Sequence, residues 1–224
     1  MQALAEECRT RGARCLVIPA DLIDPAGPRF ILDAAAAAGW QVDVLVNNAG
    51  FGDLGPFAAA DQAKLLRMVQ VNVAAFTELI GRVLPGMRAR GMGRILNVGS
   101  VAGFQPGPMM AVYYATKAYV NSLSQALASE LEGSGITATC LCPGPTESEF
   151  GQAAGFDGER SFGTGRRMTA RDVAAAGVRA MRRGKAVVIP GWRNRLLIFL
   201  ERFVPRSMVI RAVRRVTVRR SRQQ

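Results

Sequence analysis

At 224 residues, 49% of them hydrophobic, the chain suits one α/β domain with a sizeable core, which excludes global disorder. It contains no histidine, which excludes a Ser-His-Asp triad, a histidine-bound zinc site and a histidine general base, and leaves acid–base work to tyrosine, lysine or carboxylates. The net charge of +12 sits mostly at one end, because residues 192–224 carry ten arginines against the single acid Glu201.

Taken in order, residues 1–12 read as the end of a helix, with Leu4 and Cys8 one turn apart and Gly12 placed to cap it. RCLVIPADL (14–22) predicts a buried strand ending near Asp21. Pro25 opens a helix that runs through the alanines to Ala38 and stops at Gly39. VDVLVNNAG (42–50) predicts a second buried strand entering a polar turn. Asp61 can cap a long helix through Asn72 and Glu78 to about Arg90, bent or interrupted at Pro85. RILNVGS (94–100) is the third strand, and the helix after Met110 carries Tyr113 and Lys117 and ends near Gly133. ITATCLCPGP (136–145) is the fourth strand and its loop, with Cys140 and Cys142 expected as a buried pair of thiols rather than a metal or redox site. Residues 151–168 read as a loop with short helical pieces, in which Phe150, Phe156 and Phe162 are either core anchors or the lining of a lipophilic pocket. Thr169 caps a helix ending at Gly184, KAVVIPG (185–191) is a fifth strand, and the remainder is helical and basic. No apolar run reaches the roughly 18 residues of a membrane span. The charged start lacks the apolar core of a signal peptide, so a cytoplasmic location is expected.

Strands alternating with helices predict a doubly wound parallel sheet with helices on both faces. Right-handed crossovers then bring the strand C-terminal ends to one edge, where ligands bind in such sheets. NNAG, Ser100 and Pro143-Gly144 all fall just beyond strand ends. Tyr113 and Lys117, four apart on one helix, share a face. A lysine ammonium beside a phenol is expected to lower the tyrosine pKa, which fits proton exchange with a carbonyl or alcohol oxygen.

NNAG at 47–50, Asn72 within VNV, Ser100 thirteen residues before Tyr113, the YxxxK run Tyr113–Lys117 and Pro143-Gly144 together resemble the short-chain dehydrogenase/reductase family over nearly the whole chain. The resemblance implies a Rossmann-like fold and hydride transfer between NADP or NAD, NADP slightly preferred, and a ketone/alcohol substrate. It implies Tyr113 as proton donor or acceptor, Lys117 on the nicotinamide ribose, Ser100 on the substrate oxygen and Asn72 on a relay water. It also implies cofactor contacts from Asp21, Leu22, Asn48, Ala49, Gly50, Pro143, Gly144, Thr146 and Ser148, and no metal. By the residues alone, Asp21 after a strand also fits a helix cap, the lesser of the two readings.

The family's TGxxxGxG turn is not found, so the stretch reads as lacking the first βαβ portion. It is expected to be a fragment or misassigned start of an enzyme, an evolved short form, or a remnant. Activity of the chain in this form is therefore in question, and the alternative is a catalytically silent protein acting through its basic tail. Residues 1–191 would form the incomplete Rossmann-like domain, with 151–184 around the substrate, and 192–224 the basic amphipathic tail. The tail can pack on the domain or lie on an anionic membrane at the inner face. Nucleic acid is not the expected partner. A small or lipophilic carbonyl/alcohol substrate is, and a homo-oligomer through the two long helices.

Overall fold

The computed structural model describes residues 1–148, 150–154 and 168–221. Among these, strands form at β1 (Val44–Asn47), β2 (Gly93–Val98), β3 (Ile136–Leu141), β4 (Thr146–Glu147), β5 (Met168–Thr169) and β6 (Val187–Val188). The central sheet runs β1-β2-β3-β6, all parallel, and β4 pairs with β5 in a short separate ladder. The helices are α1 (Gln2–Thr10), α2 (Gly27–Ala37), α3 (Gln62–Val69), α4 (Phe76–Arg90), α5 (Ala111–Glu130), α6 (Phe150–Ala153), α7 (Ala170–Arg182), α8 (Trp192–Glu201) and α9 (Arg206–Ser221).

Neighbouring residues of β2 show why both faces are covered. Ile95 points into a cluster with Phe76, Ile80, Val83 and Met87 of α4 and Val120 of α5. Leu96, next along the strand, points the other way, onto Leu141, Val173 and Met181 beside α7. A strand buried on both faces needs successive apolar residues rather than alternation, and Ile95 and Leu96 supply them. The expected caps form: the Asp61 carboxylate accepts from Ala63 N at 2.9 Å, and Thr169 Oγ1 accepts from Asp172 N at 3.1 Å.

Three expectations are corrected. Residues 13–20 form no strand and join no ladder, and Leu16 is exposed. An apolar run becomes a buried strand only where a neighbour pairs with it and both faces are covered. Here β1 pairs with β2 alone, and its Val44 and Val46 are exposed. The second helix is opened by Pro28 in its first turn, not by Pro25, because the Asp24 carboxylate accepts from Ala26 N at 2.8 Å and closes a turn first. The long helix continues through Pro85, which sits on its exposed face where water can serve a freed carbonyl. The helical run changes instead at Gln70–Ala75, a π-helical segment containing Asn72.

A buried polar chain ties this sheet to α5. Asn47 Nδ2 donates to Asn97 Oδ1 at 3.2 Å, and Asn97 Nδ2 donates to Ser124 Oγ at 3.0 Å. Ser124 Oγ donates to Val120 O at 2.6 Å. The register pairs Asn47 with Asn97 and Asn97 with Cys140, so β1, β2 and β3 end together. Asn97→Ala removes the acceptor of one buried group and the donor to another. It is expected to cost about 1–3 kcal/mol, read as a lower urea midpoint at unchanged m-value.

Candidate active site

Tyr113, Lys117 and Asn121 follow each other at intervals of one turn on α5 and form one stripe facing the ends of β2 and β3. Lys117 is buried, and its Nζ donates to Val98 O, the last carbonyl of β2, at 2.7 Å. The same ammonium lies 5.9 Å from the Tyr113 ring centroid. Asn121 grips the next residues: Nδ2 donates to Ser100 O at 2.9 Å, and Ser100 N donates to Oδ1 at 3.3 Å. Ser100 itself is buried, with an extended backbone, and Oγ accepts from Ala102 N at 3.0 Å. Its hydroxyl donates to Pro143 O at 3.5 Å and lies close enough to the Tyr113 phenol to lower its pKa. The strand end therefore presents serine and tyrosine oxygens at one point, with lysine behind them.

Asn72 completes the set from the π-helical segment. Its Nδ2 donates to Phe51 O at 3.0 Å and to Thr116 Oγ1 at 3.1 Å, and its Oδ1 accepts from Phe51 N at 3.2 Å. Thr116 Oγ1 in turn donates to Tyr113 O at 2.8 Å. The amide thus locks the turn after β1 onto α5, with one acceptor position left on Oδ1.

The remaining expected residues divide. Asn48, Ala49 and Gly50 are exposed beside the lysine. A Cβ on Gly50 would lie 3.0 Å from Asn72 Oδ1 and 3.7 Å from Lys117 Nζ, so the backbone here approaches the asparagine amide tightly. Pro143 O accepts from Val101 N at 3.0 Å, which ties the loop after β3 to the turn after Ser100. Gly144 faces α8, and a Cβ there would meet Asn194 Nδ2 at 2.5 Å. Thr146 Oγ1 donates to Gly144 O at 2.9 Å, and Ser148 is exposed just after β4. Asp21 and Leu22 are not joined to the Tyr113–Lys117 pair by any hydrogen bond or ion pair among the described residues. The Asp21 carboxylate accepts from Ile23 N at 2.9 Å and closes the turn ahead of α2. Phe150 packs on Tyr113, ring centroids 5.1 Å apart, within an apolar wall with Leu54, Met110 and Ala154. Phe156 and Phe162 lie outside the described residues.

Burial sets the electrostatics, against the expected direction for the tyrosine. Desolvation pushes Tyr113 up to about 12; the Ser100 hydrogen bond pulls it back, and Tyr114 adds a smaller upward push. Desolvation also pulls Lys117 down to about 8, opposed by the nearby Cys140 and Cys142 thiols. The expected lowering of Tyr113 by the ammonium does not prevail, because the lysine's short contact is with Val98 O and the phenol is deeply buried. At neutral pH the pair is a neutral phenol beside an ammonium, which is a proton-donating arrangement.

Sequence reasoning missed Asn121 and Thr116. The signal was available for Asn121, eight residues beyond Tyr113 on the same helical stripe. Its amide oxygen also lies 3.5 Å from both Cys140 and Cys142 Sγ, the expected buried thiol pair. For Thr116 no sequence signal existed, since its role depends on Asn72 arriving from another helix.

The Lys117 ammonium and the exposed backbone of residues 48–50 lie side by side at this strand edge. The described residues contain no glycine-rich strand–turn–helix for a pyrophosphate.

A family profile described as short chain dehydrogenase matches residues 1–157. A short chain dehydrogenase of Pseudocercospora fijiensis is 33% identical over 155 residues, which are 67% of this chain and 50% of that protein. The chain spans about half the length of the curated relatives it matches. Among solved structures, a short-chain dehydrogenase from Sphingobium yanoikuyae in complex with NADPH superposes with a TM-score of 0.76 at 32% identity, covering 85% of this chain and 74% of that one. The bulky-bulky ketone specific alcohol dehydrogenase from Comamonas testosteroni superposes at 0.73 with 28% identity, covering 90% and 77%. With this profile covering more than half the chain and the sheet, strand ends and α5 arranged as above, the chain belongs to the short-chain dehydrogenase family.

Proposed function

We propose that this chain carries the proton-transfer centre of an NAD(P)(H)-dependent oxidoreductase acting on a ketone/alcohol pair. The observation that carries this reading is the convergence of Ser100, Tyr113 and Lys117 at the end of β2, beside the bare backbone of Gly50. The bound nucleotide would supply the hydride. Tyr113 donates its proton to the carbonyl oxygen, and Ser100 Oγ stabilises the charge that develops there. Lys117 holds the ribose and offsets negative charge left on the phenol. Asn72 fixes the turn around Gly50, and its free acceptor position suits a water on the way to Lys117.

The nucleotide half is assigned to Asp21, Leu22, Asn48, Ala49, Gly50, Pro143, Gly144, Thr146 and Ser148, with NADP slightly preferred. The NADPH of the Sphingobium relative supports that preference. The apolar wall of Leu54, Met110 and Phe150 favours a lipophilic carbonyl substrate, as does the bulky ketone specificity of the Comamonas relative. We place residues 1–191 in one domain and 192–224 in a tail. A homo-oligomer through α4 and α5 and a cytoplasmic site of action complete the reading.

The test is NADPH and NADH titration of the 224-residue chain, followed by turnover on a panel of aryl and alicyclic ketones. Tyr113→Phe is expected to lower turnover by at least about a thousandfold, with NADPH affinity within about twofold. Unchanged turnover sinks the assignment of Tyr113. A chain that binds neither nucleotide above buffer controls is not an enzyme in this form, and the silent, tail-acting reading replaces it.

Reduction needs Tyr113 protonated, which holds below about 12, and Lys117 charged, which holds below about 8. So kcat/KM for reduction is expected to be flat below about pH 8 and to fall as Lys117 loses its proton above it; a profile rising through that pH contradicts this. Asn121→Ala removes both bonds that set the Ser100 backbone. It is expected to lower kcat by about ten- to a hundredfold while leaving the Kd for NADPH unchanged, measured by single-turnover kinetics and fluorescence titration.

A further inference from the structure

Helix α8 has two unlike sides. Asn194 turns inward over Gly144 and donates to Pro190 O at 2.9 Å. Ile198 and Glu201 share that side and line a groove of about 360 Å³ with Phe104, Arg202, Arg206 and Val209. Burial raises the Glu201 carboxyl above its ordinary range, as expected of a group facing the protein.

The opposite side is bare. Trp192, Leu196, Phe199 and Leu200 stand in a stripe at i, i+4, i+7 and i+8 of α8 and Phe203 follows in the turn after it, and each is 46–72% exposed. The Phe199 and Phe203 rings meet edge to face at 5.4 Å, and the Arg193 guanidinium lies 5.4 Å from the Trp192 ring centroid. By helical spacing Arg193 borders the stripe on one side and Arg195 and Arg202 on the other. From Trp192 onward the chain carries ten arginines and one acid. No described helix is long and apolar enough to cross a membrane.

We propose that this stripe docks in the plane of an anionic phospholipid bilayer. Bulky apolar side chains flanked by arginines match the boundary between acyl chains and headgroups, where tryptophan and phenylalanine insert and arginine meets phosphate. The charge is complementary to an anionic leaflet. Nucleic acid would account for the arginines but gives Leu196 and Leu200 nothing to pack against. A second copy of this chain would bring a like-charged arginine rim against this one. Docking by this face leaves Asn194 on Gly144, so the lipid contact and the loop beside Ser100 share one helix.

Trp40 and Trp192 are the chain's two tryptophans, so Trp40→Phe leaves Trp192 as the sole reporter. This 224-residue variant is mixed with phosphatidylcholine vesicles with and without about 30% phosphatidylglycerol, floated, and read by fluorescence. Flotation with the anionic vesicles alone, a blue shift of Trp192 and quenching by brominated lipid are expected. Phe199→Ser with Phe203→Ser should weaken partitioning about tenfold or more. Arg193→Gln, Arg195→Gln and Arg202→Gln together should weaken it about a hundredfold. Circular dichroism checks that these variants fold, and the quenching result stands without them. No flotation with anionic vesicles overturns the proposal. So does binding that ignores the phenylalanine substitutions and follows charge alone, the behaviour of a general polyanion or nucleic-acid binder. Trp192 already shielded without vesicles, in a dimer that the phenylalanine substitutions dissociate, assigns the stripe to a second copy and overturns it too.

Discussion

The seating of α5 across the ends of β2 and β3 is the constraint on which the site depends. Three bonds make it: Lys117 to Val98 O, and Asn121 to both backbone groups of Ser100. A parallel strand that ends in the interior leaves polar groups that must find partners, and here side chains of one helix provide them. The same bonds that satisfy the strand end place a lysine and a serine next to a tyrosine. Structural and chemical roles therefore cannot be separated at Lys117, whose ammonium is held by a carbonyl and simultaneously set beside Tyr113 and the Gly50 backbone.

A second element is brought to that helix by Asn72. The π-helical segment at Gln70–Ala75 turns its amide to face both Phe51 and Thr116. A widened turn of this kind is uncommon inside an α-helical run and recurs at functional sites. Its effect here is to hold the Gly50 backbone close to Lys117, with Asn72 Oδ1 tight against the position a Cβ would take. The buried Asn47–Asn97–Ser124 chain does similar work one layer deeper, linking β1, β2 and α5 through satisfied polar groups rather than apolar contact alone.

Burial governs the charges. It raises the phenol and lowers the ammonium, and the hydroxyl of Ser100 only partly offsets the first. Near neutral pH this leaves a neutral phenol donor with a positive charge behind it. The outer side of α8 is governed by the opposite condition: its apolar stripe is left in water, between arginines.

The sequence by itself determined the parallel alternation, the capping of α3 and α7, and the Ser100–Tyr113–Lys117 constellation. These rest on local periodicity, cap chemistry and spacing along one helix, which are properties of neighbouring residues. It also predicted a strand at 14–22, which failed because pairing is a property of two segments, and β1 offers the described residues no ladder there. Tertiary structure alone decided that Asn121 clamps Ser100, that Thr116 meets Asn72, and that Gly144 lies under Asn194. It also decided the sign of the Tyr113 shift. A lysine four residues away suggests a lowered pKa, but desolvation comes from every element packed around the ring, and no spacing along a single helix records it.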